Sequence, residues 1–234
     1  PSKLKETSGL EYLNEYFLTI NDKGNDPMIY RFYKNGEIES EINIEAKNID
    51  WEDIAIDNNS NLYIADTGNN DFSRRRLKIY IVKIIHNSFS VFGSIVLKIK
   101  KENKINIEAI TVVDNKLHLF NKNDKLTDVY QVPILNGTYS LNDFKLVNFN
   151  PNVLITGADY DMKTDTMFLC VYDLNKKSSI YLIRSYTNNQ IRYLYPLKNI
   201  SQIEGIKLVG DHIYFTNEKT KSGNAKLNKI DFIR

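Results

Sequence analysis

Carboxylates recur along this chain at a spacing that no single helix or strand produces. Glu52-Asp53-Ile54, Glu108-Ala109-Ile110 and Glu204-Gly205-Ile206 share one grammar with Ser8-Gly9-Leu10 and Thr156-Gly157-Ala158. These five anchors begin at positions 8, 52, 108, 156 and 204, spaced 44, 56, 48 and 48 residues apart. Fourteen residues beyond an anchor stand Asp22, Asp66, Lys122 and Glu218, while the fourth repeat, with a longer turn, reaches Tyr172 after sixteen. A fold that gathers these positions brings together Asp22, Glu52, Asp66, Glu108, Glu204 and Glu218. Six such carboxylates repel one another unless a cation, a lysine or arginine, or water compensates. With no clustered His or Cys, the compensating metal would be Ca²⁺ or Mg²⁺ rather than zinc. The same rim, with Asn70, Arg76 and Lys122 added, could hold a polar ligand. An architectural reading stands beside it: the acids cap backbone amides and join neighbouring repeats, and Lys122 neutralises a neighbour by itself.

Other residues carry two readings each. Asp66-Thr67-Gly68-Asn69-Asn70 has the alternating oxygens of a Ca²⁺ loop but lacks the twelve-residue EF-hand pattern and its closing Glu. Turn chemistry accounts for its Gly and Asn equally well. Arg74-Arg75-Arg76 could clamp an anion, or lie in solvent paired with Asp71 or a rim acid. Trp51, the one tryptophan, could stack on a planar ligand, although packing between repeats is the reading favoured by aromatic burial. His86, His118 and His212 fall at unmatched places and form neither triad nor zinc spacing. Cys170 lies within Met167-Phe168-Leu169-Cys170-Val171 and reads as a buried, inert thiol.

The elements that must position these residues are strands. After each anchor comes a short apolar strand, an Asn/Asp/Gly turn such as Asp114-Asn115, and a second strand such as Leu117-His118-Leu119-Phe120. That order is a hairpin signature. A third strand carries a tyrosine at Tyr30, Tyr80, Tyr130 and Tyr181, and a more polar fourth strand precedes the next anchor. Repeats of roughly 40–50 residues with four strands are propeller blades. The expected fold is therefore all-β: a β-propeller of five four-stranded blades covering 8–45, 52–100, 108–150, 156–198 and 204–234. Six blades are the alternative. The fifth repeat stops after its third strand, at Ile233, so residues 2–5 are expected to supply its outer strand and close the ring, leaving no exposed edge. The second repeat carries extra length in the loop 67–76 and at 86–90, where function tends to sit.

Composition bounds the rest. The 234 residues are 42% hydrophobic and 26% charged, with 15 Tyr and 11 Phe, which fits one globular β-rich domain (1–234). A net charge of +2 and the absence of a basic stripe argue against nucleic acid. One cysteine excludes an internal disulfide framework, and no apolar run is long enough to span a membrane. The chain begins at Pro1, consistent with removal of a leader. A monomer is expected.

Asn61 to Asn70 resembles the NHL-repeat consensus of propellers. More broadly, Glu6-Thr7-Ser8-Gly9-Leu10, Asn21-Asp22-Lys23-Gly24, Asp50-Trp51-Glu52-Asp53-Ile54-Ala55, Asp66 to Asn70 with Arg74 to Arg76, and Glu204-Gly205-Ile206 with Asn217-Glu218 resemble a group of mostly exported bacterial propellers. Through Ser8-Gly9-Leu10 and Glu204-Gly205-Ile206 the chain is also similar to the SdiA-regulated and "esterase-like activity of phytase" propellers. These resemblances imply a propeller and export to the periplasm or cell surface; they transfer little chemistry. The expected function is binding or scaffolding, with the acidic rim holding a polar small molecule or a protein partner. The alternative is a metal-assisted hydrolase of phosphoesters, lactones or related esters, with Arg74 to Arg76 stabilising the anion. A glycoside hydrolase using paired carboxylates ranks last.

Overall fold

Strands that open on an anchor are buried along most of their length, whereas strands such as Ile38–Asn43 alternate half-buried and exposed. A strand covered on both faces must lie inside, and one with a wet face must lie outside. In the computed structural model, residues 2–122, 127–149, 153–172, 178–183, 191–197, 200, 202–219 and 223–232 are described. They form five antiparallel meanders arranged as a ring: a five-bladed β-propeller.

The first blade is β1 (Thr7–Leu13), β2 (Tyr16–Asn21), β3 (Met28–Phe32) and β4 (Ile38–Asn43). The second is β5 (Trp51–Ile56), β6 (Asn61–Asp66), β7 (Arg76–Ile85) and β8 (Ser88–Lys98). The third is β9 (Ile107–Val113), β10 (Lys116–Asn121) and β11 (Thr127–Pro133), with β12 (Gly137–Ser140) leaving it before its outer strand β13 (Lys145–Phe149). The fourth is β14 (Leu154–Asp161), β15 (Thr166–Tyr172), β16 (Ser178–Ile183) and β17 (Ile191–Pro196). The fifth is β18 (Ile203–Val209), β19 (His212–Asn217) and β20 (Lys226–Asp231). Strand β12 crosses to the second blade and pairs in parallel with β8, from Gly137 opposite Ile95 to Ser140 opposite Lys98.

Side chains alternate across each strand, so each blade feeds two interfaces. On β6, Leu62 and Ile64 face the first blade while Tyr63 and Ala65 face the third. On β15, Met167, Leu169 and Val171 face the third blade while Phe168 and Cys170 face the fifth. The core is accordingly five apolar clusters, one at each junction between blades. Trp51 is fully buried in the cluster between the first two blades, its Nε1 donating to Lys47 O at 2.9 Å. It packs and offers no stacking face. Tyr30, Tyr80 and Tyr130 are buried as packing residues; the side chain of Tyr181, and Ile233, lie outside the described residues. Cys170 is fully buried, and burial pushes its thiol well above its ordinary pKa.

Two expectations need correction. Residues 2–5 add no outer strand: Ser2–Leu4 form one 3₁₀ turn, and the fifth blade has three strands among the described residues. Leu4 instead packs with Tyr214 and Leu227, and Lys219 N donates to Lys5 O at 2.8 Å. The inner strands close the ring. A Cβ on Gly205 would stand 2.7 Å from Gly9 C, so β18 approaches β1 too closely for any side chain there. Five junctions complete the circle and leave no place for a sixth blade. The extra length at 86–90 is likewise no loop. Ile85 pairs with Ser88 across a two-residue turn, with His86 at φ 55°, and the residues lengthen β7 and β8.

Candidate functional site

In four blades the pairing between first and second strands slips at the anchor, and the anchor residue has no partner opposite. Trp51 and Asp53 pair with Asp66 and Ala65, leaving out Glu52; Ile107 and Ala109 pair with Asn121 and Phe120, leaving out Glu108. Thr156 and Glu204 are left out in the same way, and in the first blade the shift falls between Ser8 and Glu11. A bulge re-aims the unpaired side chain. Here it places Glu52, Glu108 and Glu204 together at one mouth of the channel.

The residue just after each second strand joins them. Asp22 N, Lys122 N and Glu218 N donate to the carbonyls of Glu6, Asn106 and Gln202, each two residues before its anchor. Tyr172 pairs with Leu154, the matching residue of the fourth blade. In the second blade that bond comes from Gly68 N to Asp50 O at 3.0 Å. Asp66 therefore does not occupy the place of Asp22, Lys122 and Glu218. It corresponds to Asn21, Asn121 and Asn217, one residue earlier, because the turn 57–61 is longer. Its carboxylate is 1% exposed, accepts Asp50 N at 3.1 Å and pairs with Arg74 at 2.9 Å. Asn121 Oδ1 makes the equivalent bond to Asn106 N at 2.7 Å.

Without a side chain at position 68, the carboxylates of Asp50 and Glu52 fill the space. A Cβ there would lie 2.5 Å from Asp50 Oδ2 and closer still to Glu52 Oε1. Asp22 completes the group, and one oxygen from each of Asp22, Asp50 and Glu52 lies within 4.8 Å of the others. These three residues could hold a metal ion. Asp50 is 7% exposed, and its Oδ1 accepts no hydrogen bond from the protein; the nearest cation, Lys23 Nζ, stands 3.5 Å away. Burial, then the neighbouring Glu108, Asp22 and Asp50, raise the Glu52 carboxyl well above its ordinary range. Burial also pushes Asp22 up to about 6, reinforced by Asp50.

Beside this trio stands a lysine-centred group. Lys122 Nζ pairs with Glu108 at 3.0 Å and lies 5.4 Å from the centre of the Tyr172 ring. Burial alone would lower the Lys122 pKa, but Glu108 and Glu204 outweigh it and raise it. Asn106 donates to Glu108 Oε1 at 2.6 Å and to Asn70 Oδ1 at 3.1 Å, so exposed Asn70 reaches this group through one amide. Burial raises Glu204 well above the usual range and Glu218 to about 7, the latter reinforced by Asp22 and Glu6.

Arg74 is turned to its own loop rather than to these acids. Arg74 donates to Gly68 O at 2.7 Å, to Asp66 O at 3.0 Å and to the Asp66 carboxylate, and so fixes the loop. Arg75 and Arg76 are exposed and form no ion pair among the described residues. The loop 67–76 is anchored on the third blade, with Asn69 Nδ2 donating to Ile105 O at 2.8 Å and Thr67 Oγ1 to Ile107 O at 2.8 Å.

The expected architectural role, which Asp66 fills at Asp50 N, falls also to acids outside the expected six. Asp53 caps Ile110 N of the next blade at 2.8 Å, Glu11 caps Ile56 N at 3.0 Å, and Asp159 caps Leu208 N at 2.8 Å. Asp50, Gly68 and these latches were missed from sequence. Position −2 is polar in four repeats (Glu6, Asp50, Asn106, Gln202), which is the signal that could have found Asp50.

No family model matches the chain, and no curated protein matches it. Among solved structures it is similar to the PQQ-bound aldose sugar dehydrogenase of Streptomyces coelicolor, with TM-score 0.58 and 9% identity, over 97% of this chain and 94% of that one. It is similar to a putative oxidoreductase (glucose dehydrogenase) of Thermus thermophilus, with TM-score 0.53 and 8% identity, over 95% and 96% of the two chains. A match to Kuenenia stuttgartiensis hydrazine synthase has TM-score 0.49 and 10% identity; it covers 93% of this chain, which spans 57% of that one. Among the described residues no helix is long and apolar enough to cross a membrane. At these identities the likeness shows the fold, and what the chain does must be argued from its own mouth residues.

Proposed function

We propose that this chain is a binding propeller whose channel mouth takes a divalent cation, Ca²⁺ or Mg²⁺, on Asp22, Asp50 and Glu52 and uses it to hold a polar small molecule or a polar group of a protein partner. The observation that carries this reading is Asp50 Oδ1: a buried carboxylate oxygen whose partner of opposite charge is the exposed Lys23 ammonium at 3.5 Å, set beside two further carboxylates. One exposed ammonium at that distance compensates three clustered carboxylates only in part, and a divalent cation would offset the rest. All three ligands are hard oxygens, which suits Ca²⁺ or Mg²⁺. Lys122, with Glu108 and Glu204 around it, would supply a fixed donor to the ligand beside the metal. A metal-assisted hydrolase draws less support, because Arg74, one of the three arginines expected to stabilise an anion, is held by Asp66 and two backbone carbonyls.

The test is thermal unfolding in EDTA, followed by return of Ca²⁺, Mg²⁺ or Mn²⁺. A cation at about 100 times its Kd should add about 2.7 kcal/mol to the apparent stability. Asp50→Asn and Glu52→Gln should abolish that increment. An unchanged transition with all three cations overturns the reading.

A further inference from the structure

The opposite end of the channel holds a second polar layer. Three residues beyond each anchor stand Glu11, Ala55, Thr111, Asp159 and Lys207, one from each blade. Lys207 Nζ bridges Glu11 Oε2 at 2.7 Å and Asp159 Oδ1 at 2.8 Å. The remaining oxygens of those two acids accept Ile56 N and Leu208 N, so both carboxylates are engaged. An ammonium has three donors, and the side chain of Lys207 is 20% exposed. Lys207 lines a cavity of about 240 Å³ to which all five blades contribute, where a third donor is available to a ligand. Among its lining residues Thr111 is buried, Tyr160 is half-buried, and Asn58, Asn115 and Met162 are exposed. Met162 is 66% exposed, so its thioether is open to a ligand.

We infer that this cavity is a second binding site, for a neutral, hydroxyl-rich small molecule no larger than a monosaccharide. Charge decides between ligand classes. Around the cavity stand Glu11, Asp57, Asp114 and Asp159 against Lys207, so an anion meets an excess of carboxylate. A cation meets Lys207 as the available donor, since Glu11 and Asp159 are turned to it and to backbone amides. A hydroxyl suits both, accepting from Lys207 and donating to Thr111 Oγ1 or an Asn carbonyl. The Tyr160 ring and the Met162 thioether match the C–H face of such a molecule. The volume lies below the roughly 300–1,000 Å³ of sites for drug-sized ligands. The inference stands apart from the cation site, because it uses none of the same side chains.

The experiment is saturation-transfer NMR on the whole chain with D-glucose, D-xylose, myo-inositol and glycerol, and with methylammonium and propionate as charged comparators. At least one polyol should bind saturably. Thr111→Val and Met162→Ala should each weaken it by about fivefold or more, while leaving any Ca²⁺-dependent rise in the unfolding temperature unchanged. Circular dichroism of both variants checks that they fold. Three results overturn the inference: no polyol binds, a charged comparator binds more tightly, or both folded variants bind like the parent. Loss of the Ca²⁺ response in Asp50→Asn with polyol binding retained would separate the two sites.

Discussion

Gly68 occupies in the second blade the place that Lys122 holds in the third. Each donates its backbone N–H to the carbonyl two residues before the anchor, Gly68 to Asp50 at 3.0 Å and Lys122 to Asn106 at 2.8 Å. One position thus carries a cation in one blade and nothing in the other. Where the side chain is missing, two carboxylates move in; where it is lysine, Glu108 is neutralised directly. The mouth is divided into a half served only by the exposed Lys23, 3.5 Å from Asp50, and a half with the largely buried Lys122 at 3.0 Å from Glu108.

Gly68→Ala tests that division. The new methyl group would meet the carboxylates of Asp50 and Glu52 at less than contact distance, against backbone fixed by Arg74. Overpacking of this kind costs about 1–3 kcal/mol. The variant should show that loss in a urea titration and should also lose the cation-dependent increment in stability.

Removing the built-in cation should act in the other direction. Lys122→Gln leaves Glu108 and Glu204 without their ammonium and makes the whole mouth more negative. Ca²⁺ affinity, measured by calorimetry, should rise by about three- to tenfold, since each 1.4 kcal/mol is about a factor of ten. Stability without metal should fall. An affinity that drops would show that Lys122 supports the metal ligands rather than competing with the ion.

The mouth acids also set a pH dependence. Unfolded, Asp22 and Glu218 release their protons near 3.8 and 4.5; folded, they keep them up to about 6 and about 7. Between those values the folded state binds more protons than the unfolded state, so stability falls as pH rises. In EDTA the urea midpoint should therefore decline from about pH 4 to about pH 7. Glu218→Gln should flatten the upper part of that decline, and saturating cation should reduce it. A midpoint that rises across this window would contradict the raised values.

At the other end, Lys207→Met would strand Glu11 and Asp159 beside each other. Breaking a buried ion pair on one side costs about 3–5 kcal/mol, and the partial exposure of Lys207 places the expected loss near the lower value. Adding Glu11→Gln and Asp159→Asn should recover part of it, because the amides still accept from Ile56 N and Leu208 N. Denaturant midpoints of the single and triple variants give the comparison.

Asp53 offers a purely architectural control. Its two oxygens accept Ile54 N and Ile110 N, both at 2.8 Å, and it is 2% exposed. Asp53→Ala leaves two buried amides unsatisfied, at about 1–3 kcal/mol each. The loss should appear equally with and without cation. Dependence on cation would place Asp53 among the metal's supports.

The repeat of anchors, turns and strands was enough to state five blades, because a strand's period of two and a turn's need for Asn, Asp or Gly are local properties. Burial of Cys170 followed from its apolar run, and burial of Trp51 from the tendency of aromatic side chains to pack. The carboxylates Glu52, Glu108 and Glu204 were legible because a bulge recurs at the same repeat position and turns each one inward. What the sequence could not decide was register and closure. One extra turn residue in the second blade moved Asp66 out of the mouth, and a further residue, Thr67, put Gly68 into it; hydrogen bonds between strands define that shift. Nor could the chain show that Asp50 joins Asp22 and Glu52 in one site, or that Lys207 meets Glu11 across the ring. Those pairings exist because the ring closes through Gly205 and Gly9, where two backbones touch, and only the assembled circle brings its first and last blades together.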